Sequence, residues 1–117
     1  MAKNESPFCI RSKIWVEDTK GKVVFGLGRY RILEAVQRLG SLQAAARELK
    51  MSYRAIWARI SATEERLGKP LLVREPQGSR LTPLGETLLK QFQRLLRIVE
   101  TESDDVYNDL MAAYLDG

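Results

Sequence analysis

The apolar positions change period along the chain, and each change marks an element. Between Phe8 and Val16, Ile10, Ile14, Trp15 and Val16 supply the β-branched and aromatic residues of an extended run. The polar stretch Glu17-Asp18-Thr19-Lys20-Gly21-Lys22 predicts a turn and Val23-Val24-Phe25 a short apolar return, so this segment reads as an antiparallel hairpin. From Arg29 the spacing becomes helical, with Ile32, Leu33, Val36 and Leu39 on one face. Gly40 stops this helix and Ser41 caps the next, Leu42 to Leu49, whose apolar stripe is Leu42, Ala45, Ala46 and Leu49. After a short turn, Lys50-Met51-Ser52, Ser52 caps a third helix that runs to Leu67 and is ended by Gly68 and Pro70. Two short helices joined by so tight a turn make a helix-turn-helix.

At about 100° per residue, Ile56, Ile60, Thr63 and Leu67 of the third helix face the core, and Arg54, Ala58, Ser61 and Glu65 face away. A long cation followed by two very small side chains suits a helix lying in a DNA major groove, although small polar residues on an exposed face also occur without purpose. Tyr53 and Trp57 lie on the shoulder between the arcs; Tyr53 reads as core edge, and Trp57 fits either role. Leu71 to Arg74 and Arg80 to Thr82 then enclose Glu75-Pro76-Gln77-Gly78-Ser79, a small hairpin placed as a wing. Arg74 and Arg80 flank its tip, where guanidinium groups could meet phosphate or a minor groove.

Thr82-Pro83 starts a long helix with Leu84, Leu88, Phe92, Leu95, Leu96 and Val99 at helical spacing. The seam Leu88-Phe92-Leu95-Val99 is nearly a coiled-coil stripe and predicts a dimer interface with a second copy, rather than a fold-back onto the same domain. Glu102-Ser103-Asp104-Asp105 breaks the heptad register before Val106, Leu110, Met111 and Tyr114 resume an amphipathic pattern. The expected organisation is a mainly α fold. A winged helix-turn-helix with an N-terminal β-hairpin and a two-stranded wing spans residues 1–82, and a long dimerisation helix with an acidic end spans 83–117.

Composition narrows the function classes. The 117 residues include no histidine and one cysteine, Cys9, which removes the commonest general base, the commonest metal ligand and any multi-cysteine site. No catalytic residue, metal or cofactor is therefore expected, and the chain is not expected to be an enzyme. Gly26-Leu27-Gly28 resembles the start of a dinucleotide-binding fingerprint, but Arg31 holds the third glycine's place, so the pair reads as a flexible elbow launching the first helix. No apolar run of about 18 residues predicts a membrane span, and Met1 to Pro7 has no signal-peptide core, which points to the cytoplasm. Residues 1–97 carry all nineteen Lys and Arg against nine acids, a net +10, whereas 98–117 carry six acids and no base. A basic body predicts an anionic polymer as partner.

Three ordered blocks resemble the N-terminal domain of LysR-type regulators: Gly40-Ser41-Leu42-Gln43-Ala44-Ala45-Ala46-Arg47-Glu48-Leu49, Leu67 to Arg74, and Leu81-Thr82-Pro83-Leu84-Gly85. Lys13-Ile14-Trp15-Val16, Val24 to Arg29 and Met51-Ser52-Tyr53-Arg54 with Trp57 are similar, more specifically, to the molybdate-responsive ModE family. The resemblance implies a homodimeric, sequence-specific regulator of transcription that binds double-stranded DNA. It implies groove contacts at Ser52, Tyr53, Arg54, Trp57 and Ala58, wing contacts at Arg74 and Arg80, and a phosphate contact at Ser41. Ser61 joins these candidates from the helix geometry. The resemblance also implies a link to molybdenum or related oxyanion metabolism. The 36 residues after Leu81 are too few for an oxyanion-binding domain, so any signal is expected from a separate effector-sensing protein, from the abundance of the chain, or from an unrecognised site. ModE-type sequences usually place glycine where Lys50 stands, and their wings are longer. The alternative function is a protein-interaction adaptor that docks through its acidic C-terminal helix.

Overall fold

The computed structural model describes residues 8–116. The signal-peptide reading at Met1 to Pro7 and the final Gly117 lie outside the described residues. The chain forms two compact units: one is Ile14–Phe92, and the other joins the N-terminal segment through Lys13 to Gln93 and the residues beyond it. The first unit therefore extends ten residues past the boundary expected at 82, because the start of the long helix is part of its core.

Within Ile14–Phe92, β1 (Trp15–Glu17) pairs antiparallel with β2 (Val23–Gly26), Trp15 opposite Gly26. The Asp18 carboxylate shapes the turn by accepting the N–H of Lys20 at 2.8 Å and of Lys22 at 3.0 Å. The extended run expected from Phe8 shrinks to three paired residues, since β2 is four residues long and offers nothing further to pair with. α1 (Leu27–Leu39) begins directly after β2. Gly26 is extended (φ −161°) at the N-cap and Gly28 lies inside the first helical turn, so the glycine pair launches the helix as expected. Gly26 also serves close approach, because a Cβ there would meet the Trp15 Cβ at 3.2 Å.

α1 buries Ile32, Leu33, Ala35 and Val36, whereas Leu39, expected on the same stripe, is exposed in the last turn. Gly40 closes the helix in the left-handed region (φ 82°), and the Ser41 Oγ accepts the Ala44 N–H at 3.0 Å to start α2 (Leu42–Leu49). Lys50 ends α2 at φ 56°, the one non-glycine residue with positive φ among those described. The turn is thus made by a lysine held where glycine costs least. Ser52 caps α3 (Tyr53–Leu67) by accepting the Ala55 N–H at 3.0 Å. Ile56, Ile60 and Thr63 are fully buried, and the Thr63 hydroxyl donates to the Val24 carbonyl at 2.6 Å, tying α3 to β2. Leu67, expected in the core, is exposed at the helix end.

β3 (Leu72–Glu75) and β4 (Gly78–Leu81) form the wing around Pro76 and Gln77. Thr82 locks its base, donating its hydroxyl to the Pro70 carbonyl at 2.9 Å and accepting the Gly85 N–H at 3.1 Å. α4 (Pro83–Asp116) starts there. Leu89 and Phe92 are buried, and the Phe92 ring meets Phe25 edge-on at 5.2 Å and Tyr30 at 5.7 Å. Phe92 is therefore a core residue of this unit and not part of a free dimer seam; Leu89, absent from that seam, is its partner in burial.

In the second unit α4 continues to Asp116 through Glu102-Ser103-Asp104-Asp105. The acidic stretch interrupts a heptad pattern but not a helix, because no Gly or Pro occurs between Glu86 and Asp116. Tyr107 is buried, whereas Val106, Leu110 and Tyr114 are more than half exposed. The Phe8 and Tyr114 rings pack edge to face at 5.3 Å. Among the described residues no helix is long and apolar enough to cross a membrane.

Candidate nucleic-acid interface

The three elements expected to meet DNA share one side of the unit Ile14–Phe92. Arg54 and Ala58 are exposed on the outward face of α3, Ser61 is half-buried beside them, and Ser52 is exposed at the helix start. This arc presents one long cation and then almost no side chain, which leaves the backbone of α3 accessible to a groove. Tyr53 is 40% exposed, so it belongs to the open surface and not to the core edge where its spacing placed it. Ser41 uses one of its two oxygen lone pairs to cap α2, which leaves its hydroxyl hydrogen as a donor at the positive end of that helix.

The wing is fixed to this surface by backbone. The Ser79 N–H donates to the Gly40 carbonyl at 2.8 Å, and a Cβ on Gly78 would sit 2.2 Å from that same oxygen. Only glycine allows β4 to lie so close to the α1–α2 corner. At the other end the Glu64 carboxylate accepts the Leu71 N–H at 2.7 Å, anchoring the entry to β3 on α3. A cleft of about 350 Å³ results, with Ser41 and Gln43 from α2, Tyr53 from α3, and Arg74, Gln77 and Ser79 from the wing along its walls.

Arg74 and Arg80 do not converge. Arg74 pairs with Ser79 and Arg80 with Val73, and paired residues share a face, so the two guanidinium groups leave opposite faces of the wing. The Arg74 guanidinium lies over the Trp57 ring, 3.8 Å from its centroid, so Trp57 supports the wing cation from an exposed position on α3. Arg80 donates to Glu75 at 2.7 Å; with Arg80 well exposed and Glu75 partly so, this surface pair holds little energy. Gln43, Gln77 and Ser79 were not legible as site residues, since no period or charge marks them and only the docking of the wing brings them to the cleft.

Residues 27–86 match the family described as bacterial regulatory helix-turn-helix protein, lysR family, and the chain belongs to that family of DNA-binding transcriptional regulators. An HTH-type transcriptional regulator of Mycobacterium bovis is 36% identical over 75 residues, covering 64% of this chain and 24% of that protein. The molybdenum-pterin-binding protein MopB of Rhodobacter capsulatus is 38% identical over 72 residues, covering 57% of this chain and 27% of MopB. The CbnR DNA-binding domain in complex with DNA superposes with a TM-score of 0.60 at 29% identity, over 70% of this chain and 94% of that one. The chain spans about a quarter of the length of the curated relatives it matches.

Proposed function

We propose that this chain binds duplex DNA sequence-specifically as a homodimer and thereby regulates transcription. The observation that carries the reading is the outward arc of α3, where Arg54 and Ala58 stand exposed on the helix whose Tyr53 lines one cleft with Ser41 and the backbone-docked wing. In this arrangement α3 enters a major groove, with Arg54 reaching a base edge and Ser52, Tyr53, Ala58 and Ser61 lining the approach. Ser41 and Arg74 take phosphates on the wing side, and Arg80 exchanges Glu75 for a phosphate or minor-groove contact. The DNA-bound CbnR domain supports this placement by likeness.

Dimerisation is assigned to α4. Leu95, Val99, Val106 and Leu110 fall within about 60° on a helical wheel; the first two are half-buried in the single chain, and Val106 and Leu110 are more than half exposed. Leu88 is half-buried and joins them, while Phe92 is committed to its own core. The likeness to MopB, by its name a molybdenum-pterin-binding protein, supports a link to molybdenum or related oxyanion metabolism. As a DNA-binding regulator the chain works where bacterial DNA is, in the cytoplasm.

The test is selection of bound fragments from random duplexes, followed by titration of the selected site. Arg54→Ala is expected to weaken that site by about 1–3 kcal/mol and to relax preference at one base position. Equal, weak and strongly salt-dependent binding to every duplex would overturn the sequence-specific reading.

A further inference from the structure

Three arginines on the side of α3 away from the wing have no part in the interface above. Trp57 and Arg59 precede and follow Ala58, so they lie about 100° to either side of it. Trp57 supports the wing; Arg59 and, seven residues on, Arg66 stack within about 20° of each other on the opposite flank. Ala55 and Ala62 lie on that flank too and keep it open. Arg29, in the first turn of α1, reaches the same place: its Nε donates to the Arg59 carbonyl at 3.3 Å. Arg66 donates to the Val23 carbonyl.

These guanidinium groups repel one another. Partial burial, then Arg66 and Arg59, press the Arg29 pKa below its ordinary value. Arg38 pairs with Glu34 and Glu48, and Arg80 with Glu75, whereas none of Arg29, Arg59 and Arg66 lies within ion-pair distance of a carboxylate among the described residues. Asp18 acts on Arg66 through space, but its carboxylate is held by the amides of Lys20 and Lys22. The first turn of α1 contains no acid, and Gly26 brings no capping side chain, so the positive helix end adds to the field. The three positive charges gathered here outweigh the single negative charge of Asp18, and the excess opposes folding and attracts an anion from outside.

We propose that Arg29, Arg59 and Arg66 form a second phosphate-binding site for the DNA backbone, so that the duplex is held from both flanks of α3. This rests on the DNA-binding reading above. The test is titration of the whole chain with the selected duplex and an unrelated one, between 50 and 200 mM salt. Arg59→Gln removes a charge while keeping the backbone carbonyl that Arg29 uses. Each lost phosphate contact lowers the log–log salt slope by about 0.9, which is about 3.5-fold in affinity over this range. That decrease is expected for Arg59→Gln and for Arg66→Gln, equally on both duplexes, and Arg66→Lys is expected to keep the original slope. Unchanged slopes, or losses confined to the selected duplex, overturn the proposal; if Arg66→Gln fails to fold, Arg59→Gln decides alone. If the unsubstituted chain binds neither duplex, the DNA-binding reading itself falls and this site falls with it.

Discussion

Gly78→Ala isolates the contact that holds the wing. The new Cβ would lie 2.2 Å from the Gly40 carbonyl oxygen, a backbone atom that cannot rotate away, so β4 must retreat by about 1 Å. That displacement breaks the 2.8 Å bond from Ser79 to Gly40, with a net loss of about 0.5–1.5 kcal/mol. An alanine at φ 155° adds backbone strain of about 1–3 kcal/mol. The expected destabilisation is about 2–4 kcal/mol, which a domain stable by 5–15 kcal/mol survives. Gly21→Ala is the control: φ is 79° there, but nothing lies within 4 Å of the new Cβ, so only the conformational cost of about 1–2 kcal/mol is expected. Urea titration followed by tryptophan fluorescence in a Trp15→Phe background suits the question, because Trp57 is then the sole tryptophan and sits under the Arg74 guanidinium of the wing. Equal midpoints for the two variants, with native Trp57 emission in both, would refute the argument that this approach positions the wing.

Other substitutions test separate parts of the fold. Lys50→Gly removes the strain of a side chain at φ 56° and is expected to raise stability by about 0.5–1 kcal/mol, read from the thermal midpoint. Phe92→Ala is expected to cost about 3–5 kcal/mol in urea titration, because it empties a site between Phe25 and Tyr30. Leu110→Asp, at a residue 55% exposed, is expected to leave the fold intact and shift sedimentation toward the monomer. Hydrogen bonds from Arg38 hold the Glu48 carboxyl below the usual glutamate range, so this pair stabilises above the unfolded pKa of about 4.3 and loses its effect as pH falls through the depressed folded value. Glu48→Gln should flatten that acid limb slightly in a pH series of melts; an unchanged profile would show that solvent screens the pair completely.

The order of elements was legible in the chain because local chemistry decides it. Ser41, Ser52 and Thr82 each accept an amide of the turn they begin, and Gly40 and Gly68 each take the left-handed region that stops a helix. The outward arc of α3 followed from helical period alone, since the buried set Ile56, Ile60 and Thr63 leaves Arg54 and Ala58 on the other side. What a single apolar residue meets depends on distant packing, and there the pattern was ambiguous. Phe92 has seam spacing yet fills its own core, and Leu39 and Leu67 have core spacing yet end in solvent at helix termini. The wing shows the same division. Its two strands could be read from their turn residues, and their pairing alone puts Arg74 and Arg80 on opposite faces, but the stack on Trp57 and the cleft with Gln43, Gln77 and Ser79 need the wing docked on the helices. Caps, turns and periodicity act within a few residues of sequence, so the chain alone determined them. Which flank of a helix gathers charge, and which ring supports which cation, depend on residues tens of positions apart, and only the packed fold brings those together.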